Sequence, residues 1–395
     1  MRTFRVIEGV YWIGAVDWNI RLFHGPAYTT HRGTTYNSYL IKDEKVAVVD
    51  TVYRPFTESF IENIKEYIDP TNIDYIVVNH TEPDHSGAFP ELIKLAPNAT
   101  VLCTAKGKEG LMEQYHGEYN VQVVKTGDKV SLGSKTLTFV EAPMLHWPDS
   151  MFTYVPEDAL LLPNDAFGQH IATTGMFDDL VDEHQLMTEA AKYYANILTP
   201  FSKLVLKKLA EVQKMGIEIK TIAPSHGIIW RKDPGKIINA YAKWAEGEGE
   251  NKVVIVFDTM WSSTEKMARA IIDGIKAGGV EAKLFQAHKT DRNDIIAELL
   301  TAKCLLVGSS TINNDYLPSL AAILEDLKGL KPRKKMGAAF GSYGWRGGAV
   351  KSITETLNAA GVEVMNEGLE AKYVPTPEKL EECYAWGQKI AERLA

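Results

Sequence analysis

The chain has 395 residues, of which 45% are hydrophobic and 24% charged, and its formal net charge at pH 7 is −8. This length exceeds what one hydrophobic core usually supports, so we expect two domains, and the ordinary composition excludes a largely disordered chain. The negative charge argues against broad nucleic-acid binding, which needs a basic surface. No apolar stretch reaches the roughly 18 residues of a membrane span, and the first residues lack a signal peptide's apolar core, so we expect a cytoplasmic protein.

The first half of the chain predicts a mixed sheet. Apolar runs at residues 37–41 and 46–50 lie close together, which is typical of a hairpin, and a helical pattern follows from Pro55 to Ile68. The run from Asp74 to Asn79 predicts a further strand, and strands and helices then alternate irregularly up to residue 246. Because a hairpin pairs its strands antiparallel, this sheet is not purely parallel.

Possible metal ligands follow the strand that ends near Asn79, in the stretch NHTEPDHSGAF. They are His80, Glu82, Asp84 and His85. Loops at one end of a packed sheet can bring several side chains to one point, as a metal site requires.

Further candidates occur in the same context, each just after an apolar segment. They are His146, Asp165 and His226. The whole set of four histidines and three carboxylates is large enough for two ions. We expect one ion to be held by His80, Glu82 and His146 and the other by Asp84, His85 and His226. Asp165 would then bridge the two ions.

The second half of the chain has a regular pattern of predicted strands and helices. It follows a polar, glycine-containing segment, Glu246 to Asn251, which we interpret as a linker. Strands and helices alternate as five pairs, which predicts a doubly wound parallel sheet with ligands at the carboxyl ends of the strands. The predicted strands are 252–257, 282–285, 304–307, 336–340 and 362–364, and the predicted helices begin near Ser263, Asp291, Pro318, Gly348 and Pro377.

Three loops at the strand ends predict a flavin site. Hydroxyl side chains and backbone N–H groups at a helix start can hold a phosphate, small residues let the backbone approach a ring, and an indole can stack on it. Neither of the later loops matches GxGxxG, which disfavours a nicotinamide site. The candidate residues are Thr259, Met260, Trp261, Ser262, Ser263, Thr264, Ser310, Thr311, Ile312, Asn313, Asn314, Ser342, Tyr343, Gly344, Trp345 and Gly347.

The ligand pattern HxExDH with later His, Asp and His resembles the metallo-β-lactamase superfamily, whose usual motif is HxHxDH. Glutamate at the middle position resembles the flavodiiron proteins. The stretches AVDWNIRLFHG, HRGTTYNSYL, APMLHWPDSMFTYVP, LLPNDAFGQH and APSHGIIW resemble that family too, and the loop before Ser263 resembles the FMN phosphate loop of flavodoxins. Carboxylates mixed with imidazoles favour redox-active iron over zinc.

The resemblance implies an α/β fold: a metallo-β-lactamase-like αββα sandwich over residues 1–248, then a flavodoxin-like doubly wound parallel sheet over 252–395. It implies two non-haem irons and FMN per chain, and the reduction of O2 to water, of NO to N2O, or of both. It also implies rubredoxin as the electron donor and a head-to-tail homodimer or dimer of dimers. No rubredoxin domain follows the flavodoxin-like half, which ends at Ala395, so we expect a separate donor.

Three residues outside the ligand set are candidate catalytic residues. We expect His24 and His170 to support the metal ligands or to line the substrate cavity. The resemblance places His24 and Tyr194 near the bound gas, as donors of protons or hydrogen bonds.

Two other functions remain open from the residues. One is a zinc-dependent hydrolase with a flavodoxin domain as a regulator, against which Glu82 and the three flavin-type loops argue. The other is an electron carrier whose first half is only structural, against which the complete ligand set argues.

Overall fold

The structure is a computed structural model that describes residues 2–365 and 368–395. Its residue contacts divide the chain into two compact units. The first holds the chain up to Tyr193 together with Lys203–Ala242, and the second holds Tyr194–Ser202 together with Lys243–Ala395. The segment predicted as a linker is short, because one helix ends at Glu246 and the next strand begins at Glu250.

The strands of the first unit are β1 (Phe4–Ile7), β2 (Val10–Trp12), β3 (Ala15–Asp17), β4 (Leu22–Phe23), β5 (Tyr28–Thr29), β6 (Thr34–Tyr36), β7 (Tyr39–Lys42), β8 (Val46–Val49), β9 (Tyr75–Val77), β10 (Thr100–Cys103), β11 (Val121–Val123), β12 (Lys129–Ser131), β13 (Thr136–Glu141), β14 (Met151–Val155), β15 (Leu160–Leu162) and β16 (Thr221–Ile222). The α-helices up to residue 246 are α1 (Thr57–Lys65), α2 (Pro83–Ser86), α3 (Phe89–Leu95), α4 (Ala105–Tyr115), α5 (Glu183–Tyr193), α6 (Ser202–Lys214) and α7 (Pro234–Glu246).

Two large sheets build the first unit, alongside the two-stranded sheets β3-β6 and β4-β5. One has the order β1-β2-β7-β8-β9-β10-β11 and the other β12-β13-β14-β15-β16. β7 and β8 pair antiparallel whereas β8 and β9 pair parallel, so the predicted hairpin and mixed sheet are confirmed. Side chains of both sheets, among them Trp12, Tyr39, Phe139 and Leu160, share one buried cluster, which agrees with the predicted sandwich.

The strands of the second unit are β17 (Glu250–Asp258), β18 (Glu281–Gln286), β19 (Ala302–Ser310), β20 (Met336–Tyr343), β21 (Glu363–Val364) and β22 (Leu369–Lys372). Its helices are α8 (Ser263–Ala277), α9 (Arg292–Thr301), α10 (Ala321–Leu330), α11 (Ala349–Ala359) and α12 (Pro377–Leu394). Each predicted strand and helix of this half is present, with ends that differ by a few residues.

The sheet of the second unit has the order β18-β17-β19-β20-β21 and is parallel throughout, which confirms the predicted doubly wound sheet. The sequence did not predict β22, which also pairs parallel with β20. Its residues Leu, Glu, Ala and Lys all favour helices, so pairing with β20 overrides the local preference. In the described ranges, no helix combines the length and the apolar character needed to cross a membrane.

Candidate metal centre and flavin cleft

All seven predicted metal ligands lie in loops or a short helix that follow strands β9, β13, β15 and β16. They form two clusters. Within each cluster, the candidate ligand atoms all lie within 4.8 Å of one another. Cluster 1 contains His80, Glu82, His146 and Asp165, and cluster 2 contains Asp84, His85 and His226.

Asp165 connects the two clusters because its two carboxylate oxygens face different histidines. Its Oδ2 lies 3.4 Å from His146 Nε2 and 3.7 Å from His80 Nε2 in cluster 1. Its Oδ1 lies 3.0 Å from His85 Nε2 and 3.6 Å from His226 Nε2 in cluster 2. One carboxylate is therefore placed to bind an ion in each cluster.

The two carboxylate oxygens of Glu82 also face different residues. Oε2 lies 3.2 Å from both His80 Nε2 and His146 Nε2, inside cluster 1. Oε1 lies 3.0 Å from Nε2 of His24, whose side chain is 30% exposed. Since His24 holds one oxygen, Glu82 offers a single oxygen to cluster 1, and His24 connects that carboxylate with solvent.

The electrostatics of the clusters show how strongly the carboxylates attract positive charge. Burial alone lowers the pKa of His85, but the neighbouring Asp165 and Asp84 raise this pKa to about 9. Burial likewise lowers the pKa of His146, and the facing carboxylates of Asp165 and Glu82 raise it to about 9. Burial raises the pKa of Asp165, yet the facing histidines His85 and His146 hold it well below its ordinary value. A buried site of this kind favours cations.

Several buried polar atoms of the clusters make no hydrogen bond with any described residue. They are Asp84 Oδ1, Asp165 Oδ2 and both ring nitrogens of His85. Buried polar groups are normally paired, and a metal ion is one group that pairs them. Histidine and carboxylate donors at these spacings therefore fit two divalent metal ions.

Asp149 is a further site residue, which the sequence analysis did not select. It lies in the stretch APMLHWPDS before β14, is only 3% exposed, and accepts a hydrogen bond from His80 Nδ1 at 3.1 Å. Burial raises the pKa of Asp149, but hydrogen bonds from His80 and Thr81 outweigh that effect and lower the pKa overall. The sequence signal was weak, since a lone Asp after Pro is common in turns.

His170 lies beside cluster 2 and belongs to neither cluster. Its ring centroid is 4.9 Å from that of His226, and its Nδ1 lies 2.8 Å from Thr34 Oγ1. Burial, followed by the nearby His226, lowers the pKa of His170 well below its ordinary value, so this histidine is neutral. His170 therefore lies beside the ring of His226, a predicted ligand.

Tyr193 contacts Asp165 of cluster 1, whereas the hydroxyl of the neighbouring Tyr194, which was predicted from the resemblance, contacts a serine. Tyr193 donates a hydrogen bond to Asp165 Oδ1 at 3.0 Å. The Tyr194 hydroxyl instead lies 3.0 Å from Ser202 Oγ, and its ring packs on Trp244 with centroids 5.4 Å apart. Neighbouring helical residues point about 100° apart, so only one of the two can face Asp165.

We expect Tyr193→Phe to weaken metal binding about 10-fold or more, because it removes a buried hydrogen bond to a carboxylate that both clusters share. Tyr194→Phe is the matched control, since it makes the same change at the next buried residue and should leave metal affinity unchanged. Chelator competition on both variants measures the difference. Loss of metal affinity in Tyr194→Phe alone would show that Tyr194, and not Tyr193, supports the metal centre.

The second unit contains an open cleft of about 660 Å³ at the carboxyl ends of its strands. The predicted flavin residues that line it are Met260, Trp261, Ser263, Ser310, Thr311, Ile312, Asn313, Asn314, Ser342, Tyr343, Gly344 and Trp345. Arg346, Tyr373 and Val374 also line the cleft and were not selected from the sequence. Tyr373 and Val374 follow β22, so missing that strand also meant missing these two residues.

Of the remaining predicted flavin residues, Thr264 lies beneath the cleft. Its hydroxyl is fully buried, 2.9 Å from Ser342 Oγ and 3.1 Å from Ser310 Oγ, so it joins all three predicted loops. Thr259 donates its backbone N–H to the Asp258 carboxylate. Ser262 is the N-cap of α8, and Gly347 lies close to the Tyr343 ring.

The cleft has the features that FMN needs. The start of α8 can receive a phosphate, because the Ser262 side chain makes no capping hydrogen bond and the first N–H groups of a helix lack helical partners. The Thr259 hydroxyl is buried without a partner among the described residues. Trp261 and Trp345 are 88% and 90% exposed, so their indole faces are accessible to a flavin ring.

Comparisons with known proteins match both halves of the chain. The family model described as "ODP family beta lactamase" matches residues 34–227, and the flavodoxin family model matches residues 255–387. The chain is 62% identical to a nitric oxide reductase of Moorella thermoacetica over 392 residues, covering 99% of this chain and 98% of that protein. It is 44% identical to the anaerobic nitric oxide reductase flavorubredoxin of Escherichia coli, covering 99% of this chain and 82% of that protein.

Solved structures show the same architecture. Rubredoxin oxygen:oxidoreductase from Desulfovibrio gigas superimposes with a TM-score of 0.97 at 38% identity, covering 100% of this chain and 98% of that one. The flavodiiron protein from Giardia intestinalis superimposes with a TM-score of 0.96 at 37% identity, covering 100% and 97%. These matches confirm the predicted fold, a metallo-β-lactamase-like sandwich followed by a flavodoxin-like sheet. The chain therefore belongs to the flavodiiron protein family of oxidoreductases.

Proposed function

We propose that the protein passes electrons from a rubredoxin-type donor through FMN to a non-haem diiron site, where nitric oxide is reduced to nitrous oxide. The observation that carries the proposal is Asp165, whose two oxygens face two histidine and carboxylate clusters in a chain that also has a flavin cleft. The 62% identity to a nitric oxide reductase favours nitric oxide as the substrate. The likeness to rubredoxin oxygen:oxidoreductase supports dioxygen as a second substrate, reduced to water.

In this proposal, each cluster would hold one iron, and Asp165 would contribute one oxygen to each. His80, Glu82 and His146 bind the first iron, and Asp84, His85 and His226 bind the second. The cleft of the second unit would hold FMN, with the start of α8 available to its phosphate and Trp345 available to its ring. When bound, FMN and the two irons supply the electron transfer that either reduction requires.

The residues around the irons have distinct tasks in the reaction. Coupling two nitric oxide molecules to nitrous oxide and water consumes two electrons and two protons. In the proposal His24 supplies protons, and its support is that the partly exposed ring contacts Glu82. Tyr193 donates to Asp165, and burial raises the pKa of its phenol well above the ordinary value, so the phenol keeps its proton and fixes the carboxylate.

The donor, the assembly and the compartment belong to the proposal as well. We propose rubredoxin as the donor, a head-to-tail homodimer or dimer of dimers as the assembly, and the cytoplasm as the location. The name flavorubredoxin, carried by the Escherichia coli relative, supports a rubredoxin-type donor.

The test is an anaerobic assay with chemically reduced rubredoxin as the donor and nitric oxide as the substrate. We expect nitric oxide consumption with one nitrous oxide formed per two nitric oxide molecules, and no turnover when rubredoxin is omitted. The same preparation given dioxygen measures the second activity. Lack of turnover with either gas, in protein with both irons and FMN bound, would refute the proposed function.

The zinc hydrolase alternative makes a different prediction from the same preparation. It requires activity with zinc alone and independence from FMN. The electron-carrier alternative requires that Asp165→Ala leave all activity unchanged. Either result would replace the proposal.

A further inference from the structure

Asp149 is held rigidly on the outer side of cluster 1, away from the ligand atoms. Its Oδ2 accepts hydrogen bonds from Thr81 N at 2.7 Å, from Thr81 Oγ1 at 2.8 Å and from His80 Nδ1 at 3.1 Å. Its backbone carbonyl accepts a hydrogen bond from Thr104 Oγ1 at 3.0 Å. The carboxylate therefore has little freedom to change its orientation.

This geometry fixes which nitrogen of His80 carries the proton. The Thr81 backbone N–H can only donate, so Asp149 Oδ2 is an acceptor. His80 Nδ1 must then be the donor, which leaves the Nε2 lone pair for a metal. Nε2 is the nitrogen that faces Glu82 and Asp165.

The histidines of cluster 2 lack this support. His226 Nδ1 lies 2.6 Å from the carbonyl oxygen of Thr35, which is uncharged. His85 Nδ1 has no hydrogen-bond partner among the residues that the structure describes. A carboxylate partner makes an imidazole a stronger metal ligand than a carbonyl partner does, and such outer partners typically change metal affinity by about 10- to 100-fold.

We propose that Asp149 is a positioning residue that acts through His80 and makes cluster 1 the tighter-binding of the two metal positions. The inference rests on the proposed function only in assuming that both clusters bind metal. It goes beyond that function in assigning unequal affinities to the two positions and naming the residue responsible.

The test measures each cluster alone. His226→Ala weakens cluster 2 and isolates binding at cluster 1, whereas His146→Ala does the reverse. Zn²⁺ affinity is measured by chelator competition in both backgrounds, with and without Asp149→Asn. We expect this substitution to weaken Zn²⁺ binding about 10- to 100-fold in the His226→Ala background and less than about threefold in the His146→Ala background.

Asp74→Asn is the matched control in both backgrounds. Asp74 lies just before β9, at the end opposite to His80, and its carboxylate accepts the backbone N–H of Val46 at 2.8 Å. The Asp74→Asn substitution makes the same chemical change as Asp149→Asn but does not alter a contact with a histidine ring. Zn²⁺ affinity should therefore stay unchanged in both backgrounds. Equal weakening of both clusters by Asp149→Asn would show a merely structural role and overturn the proposal, as would no weakening at all.

A measurement on the unaltered protein covers the case in which Asp149→Asn does not fold. In the Zn²⁺-loaded protein with ¹⁵N-labelled histidine, NMR should show a slowly exchanging Nδ1–H of His80 with contacts to Thr81. An unprotonated Nδ1 would overturn the proposal. Because Zn²⁺ is redox-inactive, these outcomes do not depend on gas reduction. Unequal Zn²⁺ binding at the two clusters together with failed nitric oxide reduction would refute the proposed function and leave this inference standing.

Discussion

Replacing Asp165 with alanine should abolish reduction of both gases and lower metal affinity at each cluster by more than about 100-fold. The reason is geometric, because the two oxygens of Asp165 face histidines of different clusters, Oδ2 toward cluster 1 and Oδ1 toward cluster 2. FMN should stay bound, since the flavin cleft belongs to the other compact unit. Elemental analysis, flavin absorbance and the nitric oxide assay on one preparation measure all three quantities.

A graded series provides the control for this prediction. Ser225→Ala removes a hydrogen bond of 3.3 Å to Asp165 Oδ1, and Tyr193→Phe removes one of 3.0 Å. Metal loss should therefore increase from Ser225→Ala to Tyr193→Phe to Asp165→Ala. Loss of FMN in the alanine variant would contradict the account of two separate sites.

Replacing Thr264 with valine should weaken FMN binding about 10-fold or more, equivalent to at least about 1.4 kcal/mol. Valine has nearly the same shape but removes the hydroxyl that joins the three cleft loops through Ser310 and Ser342. Each serine then loses a buried partner, which destabilises the fold by about 1–3 kcal/mol. Fluorescence titration of the apoprotein with FMN measures the affinity, and urea unfolding of the same sample measures the stability.

Thr356→Val is the control for the flavin prediction. Its hydroxyl donates to the carbonyl of Ser352, one turn earlier in α11, and Thr356 does not line the cleft. This variant should keep full FMN affinity. Equal FMN affinity in both variants would show that the hydroxyl contacts of Thr264 do not shape the cleft.

The convergence of the seven predicted ligands could be predicted from the sequence, because their residue types and their positions after strands point to the same kind of site. Imidazoles and carboxylates that follow buried strands have few reasons to gather except to bind a cation. Cluster 2 shows this well: Asp84 and His85 are adjacent in sequence, whereas His226 is distant, yet all three lie just after a strand or in the short helix α2. The parallel sheet was predictable for a similar reason, since its strands and helices alternate regularly.

The choice between Tyr193 and Tyr194 was not predictable. Helix α5 ends at Tyr193, and residues Tyr194–Leu198 continue as a π-helix, so the direction of each side chain depends on where the winding changes. The role of Asp149 could not be predicted from the sequence for another reason. Its partner His80 lies 69 positions earlier in the chain, and no local pattern connects the two.

The central claim is a diiron site and a flavin in one chain, and the most direct test is the metal and flavin content of protein purified without added metal. We predict about two irons and about one FMN per chain. Two zincs with negligible iron, persisting after anaerobic reconstitution with iron, would contradict the claim and favour a hydrolase.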